Sequence, residues 1–136
     1  RYYLIHALGS GGEYADRDRQ AAANFAKAAE KAGVGRIIYL GGINPKSDKR
    51  SEHLESRIET GETLREGSVP VTEFRAAVIV GSGSLSFELI RYLTERVPLL
   101  ITPKWVRTKT QPISVRNVLD YLIRALVVEE STGQII

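Results

Sequence analysis

The chain contains no cysteine and only two histidines among its 136 residues. Disulfides, thiolate catalysis and thiolate-bound metals are therefore excluded. His6 and His53 cannot build a histidine-rich metal centre alone, so we expect no metal. No apolar run approaches the roughly 20 residues of a membrane-spanning helix. No secretory leader is visible either, and the expected location is the cytoplasm.

Charge of one sign is also scarce, because the net charge is only +3 and the basic residues are spread along the chain. The basic runs at 46–50 and 104–109 are short, which favours a solvated face over a nucleic-acid tract. The hydrophobic fraction of 43% and the charged fraction of 26% are those of an ordinary globular domain. The length suffices for one domain and not for two.

Buried-strand patterns alternate with helix patterns along the chain. Strands are predicted at 2–8, 36–40, 69–80 and 132–136, and helices at 14–32, 51–66, 84–96 and 115–128. Ser51 and Ser114 are candidate N-caps, and Gly33 is a candidate C-cap. This alternation predicts an α/β fold whose parallel strands are joined by crossovers. Ligands of such sheets bind beyond the carboxyl ends of the strands, where this chain carries glycine-rich turns.

The glycine-rich turns at 9–12 and 81–83 do not match a known phosphate-binding motif. The dinucleotide fingerprint G-x-G-x-x-G fails at Tyr14 in the first turn and at Ser86 in the second. Neither turn has the G-K-[S/T] of a P-loop. We therefore interpret these glycines as lining a cleft rather than cradling a pyrophosphate.

Each histidine has a structural and a functional interpretation. His6 lies within an apolar strand pattern, where a hydrogen-bonded core histidine is the commoner case. His53 and Arg57 are four residues apart and so share one face of a predicted helix. The helix also carries Glu52 and Glu55, so a charged surface pair is the alternative to a site.

Four segments together resemble the C-terminal part of atypical extended short-chain dehydrogenases/reductases, such as NmrA-like, nucleotide-sugar-epimerase-like and complex I accessory-subunit-like proteins. The segments are 2–12 (YYLIHALGSGG), 36–42 (RIIYLGG), 69–75 (VPVTEFR) and 111–118 (QPISVRNV). The resemblance implies a three-layer, Rossmann-like, doubly wound parallel sheet that is only partial. Residues 1–136 would be the C-terminal part of one NAD(P)-binding domain, and the βαβ units with the glycine fingerprint would precede Arg1.

The resemblance also implies where a site lies and how it departs from the family. The family has a serine after the fifth strand and a Y-x-x-x-K pair on the next helix. Here Gly41 and Gly42 occupy the serine region, His53 aligns with the tyrosine and Arg57 with the lysine. His53 and Arg57 are therefore the catalytic candidates, since histidine moves protons near neutral pH and arginine can hold a ribose hydroxyl. The implied cofactor-binding residues are His6, Gly9, Gly41, Gly42, Arg57, Ala76, Ala77 and Val78.

Two functions follow from this resemblance, and they stay open. The intact protein binds NAD or NADP, either as a weak oxidoreductase or epimerase-like enzyme with an unknown small-molecule substrate, or as a non-catalytic regulatory or scaffold module. A homo-oligomer or a protein partner is compatible with both. An unrelated α/β domain of flavodoxin-like order is a third, minor interpretation. The 136-residue chain alone is expected to bind dinucleotide weakly or not at all.

Overall fold

A computed structural model describes residues 1–5, 12–43, 51–81, 85–96 and 111–136. These residues form two compact units, one of Arg1–Arg75 with Leu122–Ile136, the other of Ala76–Tyr121. In chain order the elements are β1 (Tyr2–Tyr3), α1 (Gly12–Lys31), β2 (Ile37–Gly42), α2 (Glu52–Arg65), β3 (Val71–Ala76), β4 (Ile79–Val80), α3 (Leu85–Arg96), β5 (Ile113–Ser114), α4 (Val115–Arg124) and a 3₁₀ turn (Glu129–Ser131).

The first unit is built on a sheet of order β1-β2-β3. β1 runs parallel to β2, with Tyr3 opposite Tyr39. Beyond β3, Ile135 forms a parallel bridge with Glu73, so the predicted strand at 132–136 does reach the sheet. Parallel strands separated in sequence by α1 and α2 confirm the predicted α/β, Rossmann-like architecture.

Local signals in the sequence determine where α1 and α2 end. Ser51 is extended and its hydroxyl accepts a hydrogen bond from the Leu54 amide at 3.3 Å, as predicted for the N-cap of α2. Gly33 follows α1 with φ of +63°, a conformation that favours glycine. The next amide, of Val34, then bonds back to the Ala29 carbonyl at 3.0 Å. Gly33 is thus the predicted C-cap.

One face of the sheet carries the main core, between the strands and the two helices α1 and α2. Small residues of α1 let the helix approach closely, and they pack against Tyr3, Ile37 and Tyr39. The rings of Tyr3 and Phe25 meet edge to face with centroids 5.0 Å apart. The buried hydrophobic members of this core are Tyr3, Ala22, Ala26, Ala29, Ile37, Tyr39, Leu64, Val69 and Val71.

The opposite face of the sheet is covered by the end of α4. Side chains alternate between faces along a strand, so Tyr2 and Ile38 point away from the α1–α2 core. The Tyr2 hydroxyl donates a hydrogen bond of 2.8 Å to the carbonyl of Leu122. The Arg36 guanidinium donates to the carbonyls of Ala125 and Val128. The first unit therefore has helix on both faces of a parallel sheet, which is the predicted three-layer arrangement.

The second unit contains a parallel pair of two-residue strands, β4 and β5, in which Ile79 lies opposite Ile113. α4 follows β5 directly, and the Ser114 hydroxyl accepts a hydrogen bond from the Arg116 amide at 3.2 Å. A β carbon on Gly81 would lie 2.6 Å from Cγ1 of Val115. Gly81 therefore allows the chain to pass close to the first residue of α4.

Three predicted elements have different bounds in the structure. The strand predicted at 69–80 is two strands, because β3 pairs within the first sheet while β4 pairs with β5 in another. The helix predicted to reach residue 128 ends at Arg124, since the next amides bond back in tight turns. β1 is limited to Tyr2–Tyr3, and residues 6–8 of the predicted strand lie outside the described residues.

Within the described ranges, no helix has the length and apolarity needed to cross a membrane. The same ranges contain no group of three or more histidine, aspartate or glutamate side chains arranged to hold a metal ion.

Candidate functional site

Arg57 lies at the carboxyl end of β2 and is held there by two consecutive residues of that strand. Its Nη2 donates a hydrogen bond of 2.6 Å to the carbonyl of Leu40. Its own backbone carbonyl accepts a bond of 2.8 Å from the hydroxyl of Tyr39. Both the backbone and the guanidinium of Arg57 are therefore fixed to β2, on the edge of the sheet where ligands of this fold class bind.

Gly42 lets the end of β2 pass close to the side chains of Leu54 and Arg57. A β carbon there would lie 3.9 Å from both Cδ and Nε of Arg57, and 2.8 Å from Cδ1 of Leu54. The Nε atom is buried and has no hydrogen-bond partner among the described residues. Because a buried guanidinium N–H without an acceptor is costly, this atom is a donor suited to an incoming hydroxyl or oxyanion.

Gly41 occupies the serine region implied by the resemblance, and the structure shows why no side chain is there. A β carbon on Gly41 would lie 3.1 Å from the Tyr39 ring and 3.3 Å from Oε1 of Glu73. The space that a serine would need is thus filled by a buried ring and a buried carboxylate. A serine at position 41 would require both neighbours to shift.

Glu73 is a buried charge that sequence reasoning did not single out. It is 1% exposed on β3 and pairs with two arginines, Arg75 at 2.7 Å and Arg65 on α2. The pKa of Arg65 is lowered, because burial and then the nearby Arg75 both disfavour its positive charge. A glutamate inside a predicted strand, two residues before Arg75 and therefore on the same face, was the available signal, since such a charge is buried only when it is paired.

A second polar contact joins α1 to the turn of α2 that carries Arg57. The buried Ser56 hydroxyl donates to Oδ2 of Asp18, itself 6% exposed, at 3.2 Å. The Thr60 hydroxyl donates to the Ser56 carbonyl at 2.8 Å. α2 is therefore tied to α1 at Ser56, next to Arg57, which is itself bonded to β2.

The other candidate residues are placed as follows. His53 is exposed, one helical turn before Arg57. Ala76, Ala77 and Val78 lie at the start of the second unit, where the chain leaves β3 for β4. His6 and Gly9 lie outside the described residues. The structure thus brings together Gly41, Gly42 and Arg57 in one unit, and the roles of all these residues stay predictions.

A groove elsewhere in the first unit does not coincide with this site. It has a volume of about 510 Å³ and lies between the C-terminal halves of α1 and α2, where Ala26, Lys27 and Glu66 line it. Nine residues of α-helical rise separate Arg57 from Glu66, roughly 13 Å, so the groove lies away from the carboxyl edge of β2.

The described elements define a Rossmann-like α/β unit, a fold in which ligands bind at the carboxyl ends of the parallel strands. Solved structures of the same fold include the enzyme WbmG from Bordetella bronchiseptica in complex with NAD (19% identity, TM-score 0.67, 94% of this chain and 47% of that one). WbmG in complex with NAD and UDP matches over 90% of this chain and 45% of that one, with 19% identity and a TM-score of 0.63. WbmH in complex with NAD+ matches with 20% identity and a TM-score of 0.62, over 92% and 48%.

These likenesses show the fold. The chain spans less than half the length of the protein chain in each of these three structures. No protein-family model matches the chain, and no curated protein matches its sequence.

Proposed function

We propose that the intact protein binds NAD(H) or NADP(H) in a Rossmann-type cleft, and that this chain forms the nicotinamide side of it. The observation that carries the proposal is Arg57, fixed at the carboxyl edge of β2 with a buried Nε that lies beside Gly42 and has no hydrogen-bond partner among the described residues. Three NAD-bound structures of two enzymes with this fold, WbmG and WbmH, support the choice of ligand. Residues 1–136 then form the C-terminal part of a single domain.

In this proposal Arg57 binds and does not move protons. A guanidinium stays protonated in proteins, so its N–H groups donate to an acceptor such as a ribose hydroxyl. The exposed His53, one turn earlier on α2, is the candidate proton donor or acceptor of the reaction. The resemblance adds His6, Gly9 and residues 76–78 as further cofactor-binding candidates. The reaction would be a weak oxidoreduction or epimerisation of an unidentified small molecule.

A non-catalytic dinucleotide-binding module is the second candidate. It is favoured by the positions of Gly41 and Gly42, which supply no hydroxyl and whose neighbours occupy the space that a serine would need. A bound dinucleotide would then be structural or sensed, and the protein would act through partners, as a regulator or scaffold.

One experiment tests binding and separates the two candidates. The intact protein is titrated with NADH and NADPH by fluorescence, for the wild type, Arg57→Met and the control Arg19→Met, whose guanidinium sits in an exposed pair with Asp16. We expect the Kd to rise about tenfold or more in Arg57→Met, as for loss of one charged hydrogen bond, and to stay unchanged in the control. Equal Kd values in all three, or no binding at all, would refute the proposal.

Turnover is then followed by dinucleotide oxidation with a panel of carbonyls and quinones. Turnover that disappears in His53→Ala identifies the enzyme, whereas binding without turnover identifies the module. His53→Ala is expected to keep the wild-type Kd, because the imidazole is exposed and is not the group that holds the cofactor.

A further inference from the structure

Tyr39 is a buried residue of β2 to which neither the sequence motifs nor the proposed function assigns a role. Its side chain is 3% exposed and lies in the α1–α2 core. Its hydroxyl donates to the carbonyl of Arg57, while the following residue, Leu40, accepts from the Arg57 guanidinium. Two adjacent positions of one strand thus hold the two ends of one arginine.

We infer that Tyr39 is a positioning residue for Arg57: its hydroxyl holds the second turn of α2 where the guanidinium reaches the end of β2 and presents Nε beside Gly42. The inference rests on the proposed function of Arg57. An arginine side chain has much rotamer freedom, and loss of that freedom opposes binding unless the protein has restricted it beforehand. Fixing the backbone carbonyl at 2.8 Å and Nη2 at 2.6 Å restricts it before the ligand arrives.

The packing around Tyr39 directs its hydroxyl toward α2, where the Thr60 side chain is a hydrogen-bond partner beside the Arg57 carbonyl. The ring of Tyr3 lies 6.1 Å away, and a β carbon on Gly41 would lie 3.1 Å from the Tyr39 ring. Gly41 therefore leaves room for the ring that positions Arg57. Burial raises the pKa of Tyr39, so its hydroxyl keeps its proton and remains a donor at physiological pH.

Tyr3 provides a matched control for the experiment. It is also 3% exposed and belongs to the same core, but its buried hydroxyl has no partner in the described parts of the chain. Tyr39→Phe and Tyr3→Phe therefore remove the same atom from the same core, and only the first removes a contact with Arg57.

The test compares NADH and NADPH binding by the intact protein for the wild type, Tyr3→Phe, Tyr39→Phe, Arg57→Met and the double variant Tyr39→Phe/Arg57→Met. Binding is measured well below the unfolding midpoint of every variant. We expect Tyr39→Phe to raise the Kd about fivefold in the wild-type background and less than about 1.5-fold in the Arg57→Met background, where there is no guanidinium to position. The wild type, the two single variants and the double variant form a double-mutant cycle, which isolates the coupling between the two residues. Tyr3→Phe should leave the Kd unchanged.

A second readout needs no ligand. The ¹H–¹⁵N resonance of Arg57 Nε, assigned by its disappearance in Arg57→Met, should exchange with solvent faster in Tyr39→Phe and at the wild-type rate in Tyr3→Phe. An unchanged Kd and exchange rate in Tyr39→Phe would overturn the inference, and so would equal effects of Tyr39→Phe and Tyr3→Phe. A rise in Kd from Tyr39→Phe that is as large in the Arg57→Met background as in the wild type would also overturn it. If Arg57→Met itself leaves the Kd unchanged, the proposed role of Arg57 fails, and the positioning role fails with it.

Discussion

Replacement of Gly61 by alanine tests whether the buried Glu73 carboxylate controls the packing of α2. Gly61 lies inside α2, where an exposed glycine replaced by alanine normally stabilises a helix by about 1 kcal/mol. Here a β carbon would lie 2.9 Å from Oε2 and 3.1 Å from Cδ of Glu73, closer than a carbon and a carboxylate can pack. Helix propensity therefore predicts that the added methyl group raises the free energy of unfolding, whereas tertiary packing predicts that it lowers it.

The carboxylate cannot easily move aside. Glu73 is 1% exposed, Arg75 bonds its Oε1 at 2.7 Å, and Arg65 bonds its Oε2. Adding a methyl group to a filled interior costs about 1–3 kcal/mol, and weakening a hydrogen bond to a charged group costs about 1.5–3 kcal/mol. After subtraction of the gain in helix propensity, we expect Gly61→Ala to lower the free energy of unfolding by about 2 kcal/mol.

Urea unfolding measures this change. For a small protein, a loss of about 2 kcal/mol lowers the midpoint by roughly 1–2 M urea. Thr63→Ala is the control, because Thr63 is only partly buried on the same helix and gains the same kind of helix propensity, so its midpoint should change little or rise. An increase of about 1 kcal/mol in Gly61→Ala would refute the reasoning, because it would show that the carboxylate gives way freely.

Three further predictions concern the same unit. Tyr39→Phe should cost about 1 kcal/mol of stability, as for one lost hydrogen bond. Tyr3→Phe should be neutral or stabilising, because the buried Tyr3 hydroxyl has no partner in the described structure. A lower urea midpoint for Tyr3→Phe than for Tyr39→Phe would contradict this prediction. Burial raises the pKa of both tyrosines above the usual 10. As pH rises above 10, the unfolded chain therefore loses protons that the folded protein keeps. The free energy of unfolding should then fall by up to about 1.4 kcal/mol per pH unit for each tyrosine. Urea titrations at pH 9 and 11 check this, and a slope unchanged in the Tyr3→Phe/Tyr39→Phe double variant would exclude these groups as its cause. Arg36→Met should cost about 1.5–3 kcal/mol of stability and speed amide hydrogen exchange after α4, because Arg36 donates to the carbonyls of Ala125 and Val128. The control Arg19→Met should cost less than about 1 kcal/mol, because its ion pair is exposed. Equal losses in the two variants would refute the capping role of Arg36.

Local sequence signals predicted the elements that depend on near neighbours. Ser51 and Gly33 mark the ends of helices through bonds within three to five residues, so the pattern around them is sufficient. β2 and α2 follow the predicted bounds closely for the same reason. The spacing of His53 and Arg57 predicted a shared helix face, and the fold places Arg57 at the strand end while His53 is exposed.

The region 69–80 shows where local patterns stop being informative. Its apolar residues predicted one strand, but strand identity depends on the partner, and β3 and β4 pair in different sheets. The same holds for Glu73, whose charge is acceptable in a buried strand only because Arg65 and Arg75 neutralise it and Gly41 and Gly61 leave it space. Arg75 lies on β3 itself, but no pattern within β3 indicates Arg65, Gly41 or Gly61.

The amino-acid sequence by itself determined the α/β class, the order of the elements and the two helix ends, because these depend on hydrophobic periodicity and on short-range hydrogen bonds. Only the tertiary structure decided that Tyr39 and Leu40 hold Arg57 and that a buried carboxylate fills the space beside Gly41. These contacts join residues from separate elements, so they exist only once the helices have packed on the sheet.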